Sequence, residues 1–172
     1  AAGVFEAVAR MEALVTRATD LTGVALRFGA LYGPGTSFAV DGDLVTGVAR
    51  RRVPIVGRGD GVFSFCHVED AAAATVCALT RGAGVYNIID DEPAPVRTWL
   101  PYLAAQIGAR PPFRVPTWLA WLGAGGYGVY LMARQRAVSN QRARDELGFV
   151  PTIASWRTGF RDLAPARLAG SG

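Results

Sequence analysis

A chain of 172 residues that is 51% hydrophobic and 19% charged can bury a real core, and it is too apolar to be disordered. Its 18 basic residues are all arginine, so no mechanism that leans on a lysine can be housed within these residues. Set against 14 acidic residues they leave a net charge of only +4; the single basic run, at 50–52, has no interleaved aromatics, which argues against nucleic acid as a partner.

The chain opens with a helical pattern that places Val8, Met11, Leu14 and Val15 on one face and stops at Gly23. It begins inside that pattern, without Met and without a signal-like segment, and reads as a fragment. Residues 24–32 form an apolar strand that halts at Tyr32 and the Gly33-Pro34-Gly35 turn. Asp43 is expected to cap a helix over 44–49, with the arginines at 50–52 at its cation-favouring end. Residues 53–56 and 62–68 read as short strands flanking a turn at 57–61. A helix over 69–82 is expected to be capped by Glu69 or Asp70 and closed by Gly82, followed by a strand over 84–90 and a helix over 95–108.

The uncharged stretch 115–133 has about the length of a membrane span. Pro116 and the four glycines at its middle divide it instead into two short helices, expected to be buried in a soluble fold. Ser139 caps a helix over 140–147 that Gly148 stops, and Pro151 precedes a last amphipathic helix over 155–164. Cys66 and Cys77 sit among apolar neighbours without metal-ligand spacing, as buried thiols do in a reducing cytoplasm.

Strands alternating with helices predict a parallel α/β sheet with a helix-rich C-terminal part beside it. Only 24–28 and 85–89 read as convincing parallel strands, whereas a doubly wound domain has about six. Most of that sheet is expected to lie outside the chain.

Four stretches in order carry a resemblance. "RFGALYGP" from Arg27, "GDGVFSFCHVEDAAAA" from Gly59, "GVYNIIDDEP" from Gly84 and "RARDELGFVPTIASWRTGF" from Arg142 together resemble the C-terminal half of extended short-chain dehydrogenases/reductases, the NAD-dependent epimerase/dehydratase superfamily. The resemblance implies a portion of a Rossmann-type sheet (residues 1–35 and 66–90) joined to a small substrate-binding domain (36–65 and 91–172). The N-terminal dinucleotide-binding half would be missing. It implies NAD or NADP as cofactor, with Phe28, Gly29, Ala30 and Leu31 along the nicotinamide side. The substrate side is assigned to Tyr32, Phe38, Phe63 and Phe65. Ligands of open α/β sheets bind outside strand carboxyl ends, where the Tyr-Gly-Pro loop lies.

Equally informative are the family features that do not match. Residues 123–128, "GAGGYG", have the spacing of a dinucleotide-binding turn, but they follow a helical "WLAWL" and lack a βαβ setting. The family's catalytic Tyr would fall near Val4 or further upstream and its Lys between Phe5 and Val8, where neither residue type occurs; the pair is either lost or lies upstream of Ala1. No catalytic residue and no metal site is therefore assigned. His67 and Asp70 are expected to be structural, and Asp90, Asp91 and Glu92 to be solvated. Ala30 replaces the Asn and Phe63 the Arg with which relatives grip a nucleotide-sugar.

The expected protein is a cytoplasmic NAD(P)-dependent oxidoreductase or epimerase/dehydratase portion acting on a small molecule other than a nucleotide-sugar. It would bind the cofactor weakly by itself, with the missing half, or a second copy in a homodimer, as partner. Neither nucleic acid nor membrane is expected. The alternatives are a non-catalytic NAD(P) sensor on the same fold and, more remotely, a membrane-surface module built on the Trp-rich helices.

Overall fold

The strand expected over 24–32 divides at Gly29 and serves two sheets. In the computed structural model, which describes residues 2–163, β1 (Val24–Phe28) runs parallel to β6 (Gly84–Ile88). Immediately after it, β2 (Ala30–Tyr32) runs parallel to β5 (Phe65–His67). At the changeover the Gly29 N–H donates to the Ile88 carbonyl at 3.0 Å and the Ala30 N–H to the Ser64 carbonyl at 2.8 Å. A Cβ at Gly29 would stand 2.5 Å from the Ser64 carbonyl oxygen, so the close approach of these backbones requires glycine.

Helix α1 (Ala2–Thr16) packs on β1 and β6, and α3 (Val68–Ala78) links β5 to β6. A first core, including Cys66, Ala74, Tyr86, Ile88 and Leu147, fills the space between α3 and the parallel strands. This is the parallel α/β arrangement predicted. A larger second core gathers Tyr32, Phe38, Phe65, Trp99, Trp156 and Phe160 among α2 (Asp43–Ala49), α4 (Val96–Gln106) and α6 (Trp156–Arg161).

Several local expectations change in three dimensions. The strands at 53–56 and 62–68 do not form a hairpin. β3 (Ile55–Val56) pairs in parallel with β8 (Arg114–Val115), and β4 (Val62–Phe63) pairs antiparallel with β7 (Ala94–Pro95). Gly57 and Gly59, at φ 57° and 69°, turn the chain away so that distant segments supply both partners. The cap of α3 is His67, whose Nδ1 accepts from the Glu69 N–H at 3.3 Å. Asp70 is buried and accepts instead from the Thr152 and Ile153 amides at 2.8 and 3.1 Å, tying the C-terminal segment to α3. Asp43 is the first helical residue of α2, and the Ser37 carbonyl already accepts from the Leu44 and Val45 amides.

Helix α5 (Thr117–Ala133) breaks at Gly125, φ 66° and ψ 176°, as its glycines indicate. Its apolar surface is buried only in part: Ala120 and Val129 pack with Val56, whereas Trp118 and Trp121 stay 70% and 61% exposed. The apolar face of α1 is likewise uncovered among the described residues, and the buried residue of that helix is Glu12. A π-helical turn (Ala143–Leu147) ends on left-handed Gly148, and Ser139 and Ser155 cap the last two helical segments. Ala164, the expected end of the last helix, lies outside the described residues. No described helix is long and apolar enough to cross a membrane.

Candidate functional site

The split strand opens a groove just past the carboxyl end of β1. About 340 Å³ in volume, it is walled by Phe28, Gly29, Ala30, Ser64, Ile89 and Val138, with Phe5 and Arg27 at its side. Phe28, 41% exposed, gives the groove an apolar ring with the Gly29 backbone next to it. The segment after α5 closes the far wall. There the Val138 N–H donates to Ser64 Oγ at 3.3 Å, Asn140 Nδ2 to the Ile89 carbonyl at 3.0 Å and Asn87 Nδ2 to the Ser139 carbonyl at 3.1 Å.

Helix α1 is fixed beside this groove by one ion pair. The Arg27 guanidinium donates twice to the Glu12 carboxylate, both at 2.6 Å, and these bonds hold the Glu12 carboxyl below its usual range. That anchor sets Phe5 at the groove, with its ring edge-on to Tyr130 at 5.5 Å. Val4 and Val8 stay exposed on the same helix.

Of the residues expected on the nicotinamide side, Phe28, Gly29 and Ala30 line this groove together, while Leu31 packs into the first core. Tyr32, Phe38 and Phe65 are buried in the aromatic core, and Phe63 is half-buried with its ring 5.0 Å from that of Trp99. The Tyr32 hydroxyl is buried without a partner among the described residues. Loss of solvent, then the fields of Asp90 and Asp70, push its pKa far up. Ser64, Asn87, Gln135, Arg136 and Val138 were not foreseen. Gln135, Arg136 and Val138 belong to the run after α5, which reads simply as a helix cap, and Ser64 and Asn87 to segments read only as strands.

A second, apolar cavity of about 580 Å³ lies between the β3–β8 pair and α5, lined by Leu44, Val56, Phe113, Val115, Leu119 and Met132, with Arg52 its sole charge. Between groove and cavity runs a space of about 550 Å³ beside Tyr127 and Tyr130. It shares Gln135 and Val138 with the groove and Leu131 with the cavity, and so borders both.

Of the acids at 90–92, Asp90 is buried rather than solvated, while Asp91 and Glu92 are partly exposed and ion-paired. Asp90 is buried and accepts from the Trp156 and Glu92 amides at 2.8 and 3.2 Å; burial raises its pKa to about 7. Asp91 pairs with Arg144 and Glu92 with Arg157, each at 2.5 Å. Among the described residues no group of side chains could hold a metal ion.

Residues 7–88 match the NAD dependent epimerase/dehydratase family. This part of the chain belongs to that family. Over 160 residues the chain is 43% identical to the 3-diazoavenalumate denitrifying reductase of a Streptomyces species, covering 92% of this chain and 52% of the relative. Among solved structures it resembles a human epimerase family protein with NADPH (TM-score 0.71, 18% identity, 86% of this chain and 50% of that one). It also resembles the UDP-glucose 4-epimerase of Thermotoga maritima with UDP-glucose (TM-score 0.69, 22% identity, 91% and 50%). The chain thus spans about half the length of the relatives it matches.

For the family's dinucleotide, the groove fits the nicotinamide end: a flat apolar wall at Phe28, Ile89 and Val138 next to bare backbone at Gly29. The residues at 123–128 do not fit the pyrophosphate. They lie inside α5 across its break instead of in a strand-to-helix turn, and the direct strand-to-helix junctions among the described residues, β5 to α3, β7 to α4 and β8 to α5, are not glycine-rich.

Proposed function

We propose that the chain is the substrate-binding portion, with part of the nicotinamide wall, of an NAD(P)-dependent oxidoreductase whose substrate is an uncharged, partly apolar carbonyl or alcohol. Residues 1–35 and 66–90 are its Rossmann-type elements, and 36–65 and 91–172 mainly its substrate domain. The observation that carries this reading is the apolar cavity under α5, with Arg52 its sole charge, which borders the same intervening space as the groove at Phe28–Gly29–Ala30.

The cofactor supplies or accepts a hydride when bound. This chain's part is to flank the ring with Phe28, Ile89 and Val138, exclude water, and hold the apolar body of the substrate against Val56, Phe113 and Leu119. Ala30 offers no amide to a diphosphate, and Phe63 no guanidinium. Of the other candidates for a phosphate, Arg58 and the arginines at 50–52, Arg58 is paired with Asp60 at 3.1 Å. The Streptomyces relative is by name a reductase of 3-diazoavenalumate, which agrees with a substrate other than a nucleotide-sugar. A reducing, cytoplasmic setting suits the two free cysteines.

The test is thermal shift and hydride transfer by the full-length parent with UDP- and dTDP-sugars beside hydrophobic ketones. Stabilisation and turnover by the ketones alone support the proposal. Stabilisation by a nucleotide-sugar, lost in Arg58→Ala, overturns it. A second reading, a non-catalytic NAD(P) sensor, rests on residues 4–8, where the resemblance would place the Tyr and Lys and neither residue type occurs. Cofactor binding by the parent without turnover of any ketone would favour the sensor.

A further inference from the structure

Around the first half of α5, exposed apolar side chains and unpaired cations occur together. Trp118, Trp121 and Leu122 are 70%, 61% and 72% exposed, and Leu119 and Phe113 carry the patch to the mouth of the apolar cavity. The sequence segregates charge at the same place: residues 44–59 and 93–138 hold nine arginines and no carboxylate. The β3–β8 pairing brings these segments together. Arg114 donates to the Gly57 and Arg58 carbonyls, Arg51 stands 5.9 Å over the Phe113 ring, and Arg52 lines the same cavity as Leu119. Asp60, at the border of the patch, is taken by Arg58 and Arg97. Among the described residues Arg50, Arg51, Arg52, Arg110 and Arg114 have no carboxylate partner.

We propose that this surface docks on an anionic lipid bilayer. Helix α5 lies in the interfacial plane, with Trp118, Trp121 and Leu122 entering the headgroup boundary and the arginines facing lipid phosphates. Tryptophan favours that boundary because its ring is apolar and its N–H needs a polar partner. A helix of 17 residues broken at Gly125 cannot span, but a helix of this kind with cations around it can lie on the surface. Each arginine near an anionic leaflet strengthens binding by roughly fivefold at moderate salt. Two other occupants fit less well. An isologous contact with a second copy through this patch would set arginine against arginine across the two-fold axis. Nucleic acid would use stacking aromatics in a groove, whereas Leu119 and Leu122 offer bases nothing. The docking does not depend on the redox reading.

Co-sedimentation and tryptophan emission with vesicles of phosphatidylcholine, alone or with about 30 mol% phosphatidylserine, test it. Trp99 and Trp156 are fully buried, so a change in emission reports Trp118 and Trp121. The expected result is partition at least about tenfold stronger on the anionic vesicles, a blue shift, and release at about 0.5 M salt. The blue shift should vanish in Trp118→Ser/Trp121→Ser. Partition should weaken at least about tenfold in Arg50→Gln/Arg51→Asn, with circular dichroism and melting unchanged. The proposal fails if the chain ignores anionic vesicles or binds neutral ones as well. It also fails if the tryptophan variant retains full binding, if duplex DNA or RNA displaces the vesicles, or if a dimer already shields Trp118 and Trp121 from acrylamide.

Discussion

Asp90 makes a prediction whose sign is unusual for a carboxylate. Its side chain is 2% exposed, and although two backbone amides donate to it, burial dominates and lifts the pKa from 3.8 to about 7, with Glu92 and Asp91 adding to the rise. The folded value lies above the unfolded one, so between these two values the folded chain keeps a proton that the unfolded chain has lost. Stability contributed at this site therefore falls as pH rises through that window and levels off above about pH 7. The full swing is about 4 kcal/mol, of which about 2.5 kcal/mol falls between about pH 5 and pH 8. Asp90→Asn removes the titration and retains a carbonyl acceptor for the Trp156 amide, at a pH-independent cost of about 1 kcal/mol for the second bond. Urea unfolding of both proteins across this range isolates the effect, because every other titrating group cancels in the difference. The variant should gain about 2.5 kcal/mol on the parent sequence from pH 5 to pH 8, and carboxyl-carbon NMR should show Asp90 titrating near neutrality. Parallel stability profiles, or a carboxyl titrating near 4, would refute the reasoning.

Other outcomes are equally checkable. A Cβ at Gly159 would meet Tyr32 Cε2 at 2.2 Å, so Gly159→Ala should cost about 3 kcal/mol in unfolding free energy, partly restored by trimming the ring with Tyr32→Leu; an unchanged melting temperature would be the contrary result. Calorimetry of the chain alone with NAD⁺ and NADPH should find no micromolar site, since the pyrophosphate turn is not among the described residues. Val4, Phe5, Met11 and Leu14 are all exposed on α1, so sedimentation should show dimers or larger species that Met11→Glu/Leu14→Glu disperses. A sharp, cooperative melt of a monomer would contradict that expectation.

The family was legible in the sequence because its signals are local. The Tyr-Gly-Pro turn, the Ala-rich helix after "CHVED" and the closing "LGFVP" each depend on backbone preferences of neighbouring residues, which a linear reading captures. The break in α5 was legible for the same reason, since Gly125 is free to adopt a positive φ. The strand change at Gly29 was not, because it depends on the Ser64 carbonyl 35 residues away. Nor was the fate of the acids: Asp70 and Asp90 look like cap and solvated turn in one dimension, yet each is buried against amides of the C-terminal segment. The groove wall illustrates the same division. Phe28, Gly29 and Ala30 announced themselves through the motif, whereas Ser64, Asn87 and Val138 become neighbours only when separate segments fold onto the end of β1. Hydrophobic periodicity says which face of a helix is apolar, but whether that face is covered depends on what packs against it. Only the tertiary structure revealed that, among the described residues, the apolar face of α1 and the Trp118–Trp121–Leu122 side of α5 stay open.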